Sequence, residues 1–292
     1  MALPDRFRIA LLTLAALCAF AANSILCRLA LGAGAIDAAS YATVRLVSGA
    51  AFLAMLAAAR PATGVRRGSW GSAAALFAYA VPFSFAYRTL SAGTGALLLF
   101  AAVQATMISA GIARGERPRP VGWVGLALAL AGLAWLVRPG LAAPSPAGAA
   151  LMALAGIAWG VYSLRGRRST RPIADTAGNF ARAALLAAAV SAAAFSSFRA
   201  TPRGFLLAAL SGSLASGAGY AVWYAALPRL AATTAATVQL SVPVLAAAGG
   251  VLLLGERPTL RLAVASIAIL GGVALAIAGR EVRNPPAPAG PR

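Results

Sequence analysis

The sequence predicts an all-α integral membrane protein of ten transmembrane helices, arranged as two inverted-topology repeats of five. Three observations lead there. The 292-residue chain is 61% hydrophobic and 11% charged, with mean hydropathy +0.82, too apolar to cover itself with a hydrated surface. It divides into ten apolar stretches, each close to the ~20 residues that a bilayer core demands. The tetrapeptide Gly-Glu-Arg-Pro stands at 115–118 and again at 255–258, 140 residues apart, closing an apolar stretch both times.

In chain order the stretches run roughly 8–30, 37–59, 69–87, 91–113, 120–137, 147–164, 175–197, 203–227, 231–254 and 261–279. The first begins like a secretory h-region at Ile9 to Ala22 but continues through Asn23 and Arg28 without a convincing cleavage site, so it is expected to be retained. Connections are short and marked by breakers, as at Arg60-Pro61, Ala143-Pro144-Ser145-Pro146 and Leu227-Pro228. The two repeats are expected to occupy 1–139 and 140–283. The Pro- and Gly-rich tail, 284–292, is expected to be disordered. Cys18 and Cys27, nine apart in one stretch, fall on different helix faces and form no disulfide framework.

All 25 basic residues are arginine, and the formal net charge is +19. Nucleic-acid binding is not the reading, because the arginines sit in short clusters between apolar stretches and no soluble basic domain exists. Sixteen fall on the side of the N-terminus and seven on the other, with Arg45 and Arg182 inside stretches. That bias predicts a multi-pass protein with both termini cytoplasmic. Five stretches separate the two Gly-Glu-Arg-Pro copies, an odd number, so the copies lie on opposite faces. Asp37 and Asp175, Arg45 and Arg182, and Phe20 and Trp159 repeat at nearly the same offset. Inverted repeats of this kind are the architecture of alternating-access carriers, with substrate held near the midplane between the halves.

Ten short-looped spans in two inverted sets of five, Trp159-Gly160 in the sixth, Arg45 and Arg182 in the second and seventh, and Gly-Glu after the fourth and ninth resemble the EamA-type branch of the drug/metabolite transporter superfamily. The likeness covers nearly the whole chain. Within that family the chain looks most like the bacterial inner-membrane exporters of aromatic and other neutral amino acids. It departs at Phe20-Ala21-Ala22-Asn23, where the family often has Trp-Gly, which puts that half of the site in doubt.

Polar and aromatic residues inside spans are the candidate substrate contacts, since such groups tend to turn away from lipid. They are Asn23 and Ser24 in the first span, Tyr79 and Phe83 in the third, Gln104 in the fourth, Trp159 and Tyr162 in the sixth, Tyr220 and Trp223 in the eighth, and Gln239 in the ninth. Each has a plainer alternative. Asn23, Ser24, Gln104 and Gln239 also serve as interhelical hydrogen bonds, and the aromatics as core filler or interfacial belt. Tyr87 is read as interfacial. Ser213, Ser216, Gly217, Tyr220 and Tyr224 share one face of an eighth α-helix. Arg45 and Arg182 are read chiefly as anchors that snorkel toward the nearer surface, and Asp37 and Asp175 as helix caps.

All six acids lie at span ends or outside, and the chain has no His or Lys. No mid-membrane proton relay, phosphate-binding loop or acid/base constellation is written, so neither direct ATP drive nor an enzyme is expected. The expected activity is secondary export of small neutral or amphipathic metabolites, amino acids including aromatic ones foremost, across the bacterial inner membrane by alternating access. The alternative cargo on the same fold is drugs, nucleobases, sugars or other metabolites, and an arginine facing the cavity would favour anions. The partners expected are a small-molecule substrate and membrane lipid, with no cofactor, metal or nucleic acid, and the protein is expected to be a monomer.

Overall fold

In a computed structural model, residues 5–59, 68–115, 118–140, 143–167, 169–230 and 232–279 are described. All ten predicted stretches are helical. They are α1 (Asp5–Gly32), α2 (Ala38–Ala58), α3 (Trp70–Ala86), α4 (Ala92–Ala113), α5 (Pro120–Val137), α6 (Pro146–Gly166), α7 (Pro172–Ala193), α8 (Pro202–Arg229), α9 (Thr234–Leu254) and α10 (Leu260–Ala278). Eight are long and apolar enough to cross a membrane. The exceptions are α3, which has 17 residues, and α7, whose Asp175, Asn179 and Arg182 lower its apolar character. No strand occurs among the described residues, and Ile36 and Ala200 form an isolated antiparallel bridge.

Hydropathy and capping set the boundaries together. The side chains of Asp37, Ser69, Ser91, Ser145, Thr201 and Thr259 each accept a backbone N–H in the first turn of the helix they precede. Proline opens α5, α6, α7 and α8, where its missing N–H costs nothing. Two helices depart from the regular spans predicted. The middle of α8, Ser211–Ala218, winds as a π-helix, and α9 is broken by a turn at Gln239 and Leu240, between Ala232–Val238 and Ser241–Leu254. The tail 284–292, the Arg60-Pro61 connection and Glu116-Arg117 of the first tetrapeptide lie outside the described residues.

Packing follows a doubled pattern. Helix α2 lies along α7, and α5 lies along α10. Where α3 packs on α6, α1 packs on α8, and where α4 packs on α6, α1 packs on α9. The α5–α10 approach depends on glycine: a Cβ at Gly125 would stand 2.5 Å from the Gly272 carbonyl oxygen, and one at Gly272 equally close to that of Gly125. Outward faces carry bare apolar side chains such as Leu252, Leu260 and Ile267, as a lipid-facing surface requires.

The connections gather into two groups. In one, the backbone N–H of Asp37 donates to the Arg199 carbonyl, Thr89 and Ser145 share a hydrogen bond of 2.7 Å, Arg28 pairs with Glu256 at 3.3 Å, and Arg261 donates to the Arg138 carbonyl. In the other, Gly68 N–H donates to Asp175 at 2.8 Å, and Arg119 N–H donates to the Gly279 carbonyl at 2.8 Å. Asp37 is the N-cap of α2, as predicted. Asp175 does not precede α7 but sits in its first turn, because Pro172 starts that helix earlier than hydropathy suggests.

Candidate functional site

Helices α1, α3, α6, α7 and α8 bring their aromatic side chains to one place in the bundle. Trp159 of α6 lies 4.9 Å from the ring of Tyr79 on α3 and stacks on Tyr220 of α8 at 5.4 Å and 18°, and on Tyr162 one turn along at 5.3 Å and 26°. Tyr79 continues to Phe83 and Phe83 to Tyr87, at 5.3 and 4.8 Å. Tyr220 meets Phe20 of α1 and Phe180 of α7 at 5.7 and 6.0 Å. Trp159 is half-buried, whereas Tyr79, Phe83, Tyr162 and Tyr220 are buried. Offset and stacked rings at these separations attract one another through their quadrupoles as well as their apolar area.

A polar network runs beside the rings. Asn23 of α1 donates its amide N–H to the Tyr79 hydroxyl at 3.2 Å and accepts from Ser211 of α8 at 2.7 Å. Arg45 of α2 donates through Nη2 to the same Tyr79 hydroxyl at 2.8 Å and through Nε to Ser216 of α8 at 3.4 Å. Its guanidinium carbon lies 5.0 and 4.9 Å from the ring centroids of Tyr79 and Phe83, a cation–π arrangement. Arg45 is 1% exposed. The contact between α8 and α2 at this level requires Gly212, since a Cβ there would collide with the Arg45 carbonyl and the Ser48 hydroxyl. The π-helical turn carries Ser211, Gly212 and Ser216 inward together, and such turns often mark functional sites.

The structure therefore assembles Asn23, Tyr79, Phe83, Trp159, Tyr162 and Tyr220 from the sequence-predicted set. Ser24 is buried on α1 beside Asn23, and Trp223 is buried against Phe20 in a small satellite cluster. Gln104 is buried on α4 and Gln239 half-buried at the break in α9. Among the described residues neither amide hydrogen-bonds to the aromatic cluster. The Tyr162 hydroxyl accepts from Asn179 of α7 at 3.4 Å, and Tyr224 bonds Thr176 at 3.1 Å.

Three sequence readings are corrected. Arg45 does not snorkel: α2 turns it into the bundle, where aromatic faces and hydroxyls replace water. Arg182, the other in-span arginine, remains half-buried, with Nη1 on the Gly178 carbonyl and its guanidinium over the ring of Trp70 at 5.7 Å. Tyr87 is not interfacial but fully buried, donating to the Ala92 carbonyl at 3.3 Å. Ser213 leaves the inward face, because the π-turn shifts the register, and bonds its own helix at the Ala209 carbonyl. Sequence reasoning passed over Tyr41, Asn179, Phe180 and Ser211. Spacing carried a signal only for Tyr41, four residues before Arg45 and thus on the same helical face.

A helical bundle with an apolar exterior and a polar-aromatic cluster inside it is the form of a polytopic membrane protein that handles a solute. Residues 146–278 match the EamA-like transporter family. An uncharacterized protein of Pseudomonas aeruginosa is 55% identical over 280 residues, covering 95% of this chain and 97% of that one. A solved crystal structure, titled only as that of a protein, superposes with TM-score 0.68 at 22% identity, covering 93% of this chain and 98% of the other, so it shares the fold. Residues 146–278 thus carry an EamA-like transporter family domain, and members of that family are membrane transporters rather than enzymes.

Proposed function

We propose that the protein is a secondary carrier of small, flat, amphipathic metabolites, amino acids including aromatic ones among them, exporting them across the bacterial inner membrane by alternating access. The observation that carries this reading is the position of Trp159, which bridges Tyr79 of the first five helices and Tyr220 of the second five at ring distances of 4.9 and 5.4 Å. Rocking of one half against the other separates those rings and exposes their faces to a solute.

The carrier architecture rests on all ten helices crossing the bilayer, α3 and α7 included, as two inverted repeats over 1–139 and 140–283. Several features support it. Among the described residues, connections expected on one face bond to others expected on that face, as in Asp37 with Arg199 and Gly68 with Asp175. The packing of α1 on α8 mirrors that of α6 on α3. Phe20 against Tyr220 mirrors Trp159 against Tyr79. Within a protein interior, α3 and α7 need less apolar character than a lipid-facing helix. Both termini are placed in the cytoplasm by the arginine bias.

The test is counterflow in proteoliposomes: labelled phenylalanine accumulates in vesicles preloaded with unlabelled phenylalanine and not in empty liposomes. Failure of every amino acid to accumulate would move the cargo to another class of metabolite on the same fold.

A further inference from the structure

We propose that Arg45 is a carboxylate-binding group, and that the solute it selects is an amphipathic monocarboxylate with a flat apolar body, whether or not that solute also carries an ammonium. This deepens the carrier reading by naming the chemistry that its aromatic cluster recognises.

The guanidinium of Arg45 is buried at 1% exposure and, among the described residues, has no acid paired with it. The ion pair found among the described residues, Arg28 with Glu256, lies elsewhere, at a helix end. Removing a full charge from water without a counterion is costly, and aromatic faces compensate for only part of that cost. Among the described residues its Nη1 has no hydrogen-bond partner, and neither has the hydroxyl of Tyr41, one turn earlier on α2. The Tyr79 hydroxyl already accepts from Arg45 and from Asn23, so its own proton has yet to be donated. Two buried donors without acceptors, the Tyr41 hydroxyl and the Arg45 Nη1, thus come from one face of α2, beside a positive charge that already holds Tyr79. Two oxygens of a carboxylate satisfy such a set, because a guanidinium presents its N–H groups in a planar fork that matches them.

The same surroundings argue against selection of the ammonium. Asp37 caps α2, Asp175 accepts from the Gly68 N–H and the Ser169 hydroxyl, and Glu256 is held by Arg28 and the Ala92 N–H. The described part of the cluster therefore offers an amine aromatic faces and hydroxyls but no carboxylate. The apolar body of the solute lies against the Trp159 ring, which the protein leaves half-buried beside Tyr79.

The experiment compares three probes on the purified full-length protein by ligand-induced thermal shift: 3-phenylpropionate, phenylalanine and phenethylamine. They share a phenyl ring and differ in whether they carry the acid, both groups, or the amine alone. Phenylpropionate and phenylalanine are expected to raise the melting temperature and phenethylamine is not. Arg45→Gln is expected to weaken phenylpropionate binding by roughly 10- to 100-fold, and Tyr79→Phe to weaken it less. Stabilisation by phenethylamine equal to that by phenylpropionate overturns the proposal, as does a wild-type protein indifferent to both carboxylates. If Arg45→Gln fails to fold, the three-probe comparison on the wild-type protein still decides. Binding of carboxylates without counterflow would sink the carrier reading and leave the site standing. Counterflow indifferent to the carboxylate would do the reverse.

Discussion

Trp159 on α6 and Tyr79 on α3 face each other at 4.9 Å across the seam between the first five helices and the second five. Phe20 on α1 and Tyr220 on α8 meet at 5.7 Å. Two helix pairs from opposite ends of the sequence thus place an aromatic contact at the same joint, and the Trp159–Tyr220 stack ties the two contacts into one cluster. Relative motion of the two sets of five helices would break or re-form the Trp159–Tyr79 and Phe20–Tyr220 contacts, while the Trp159–Tyr220 stack lies within the second set.

Trp159→Ala removes three ring contacts, with Tyr79, Tyr162 and Tyr220, each worth about 0.5–1.5 kcal/mol beyond the apolar area. Counterflow is expected to fall by roughly tenfold or more, with a measurable drop in melting temperature. Trp159→Phe is expected to retain much of the flux, since a ring still stacks. Transport unchanged in Trp159→Ala would show that the cluster is packing alone.

The tight contact between the π-turn of α8 and the backbone of α2 gives a second expectation. Gly212→Ala pushes a methyl group into the Arg45 carbonyl and Ser48, and overpacking of that kind costs about 1–3 kcal/mol. Gly271→Ala on α10 meets nothing within 4 Å and should leave stability nearly unchanged. Thermal unfolding of the two variants side by side checks the contrast.

Glu256 joins the second Gly-Glu-Arg-Pro to two other helices. Its oxygens accept from the Ala92 N–H at the start of α4, at 2.9 and 3.1 Å, and from Arg28 at 3.3 Å. Glu256→Ala removes a helix cap as well as an ion pair, and a lost cap costs about 0.5–2 kcal/mol. Arg28→Ala leaves the cap in place and should cost less, because partly exposed pairs contribute little. Equal losses in the two variants would contradict the capping role.

Arg182→Gln tests the asymmetry between the two in-span arginines. Because Arg182 stays half-buried beside Trp70, this variant is expected to bind 3-phenylpropionate as the wild type does, while Arg45→Gln does not. A matching loss in both would mean that the repeat equivalence extends to function.

Much of the fold was legible because hydropathy over about 20 residues measures a physical length, the bilayer thickness. The expected stretch 120–137 coincides with α5 (Pro120–Val137). The other boundaries shift by a few residues wherever a cap or proline decides, as Pro172 does for α7. Breaks inside helices were not legible. The π-turn at Ser211 arises from how α8 meets α2 at Gly212, a tertiary contact that leaves no local periodicity behind. The site was half legible. In-span position and spacing singled out Tyr79, Trp159 and Tyr220, which the structure brings into one cluster, but Arg45 and Arg182 both fall about two turns into their expected stretches. Only the packing of α8 over α2 distinguishes the buried one.

The central claim, that the two five-helix halves lie upside down to one another, is tested most directly by labelling single cysteines placed at Gly115 and Gly255, the positive-φ glycines that follow α4 and α9. With a membrane-impermeant thiol reagent on intact inverted and right-side-out vesicles, Gly255→Cys is expected to react from the outer face and Gly115→Cys from the cytoplasmic face. Reaction of both from one face would contradict the inverted architecture and the alternating-access carrier built on it.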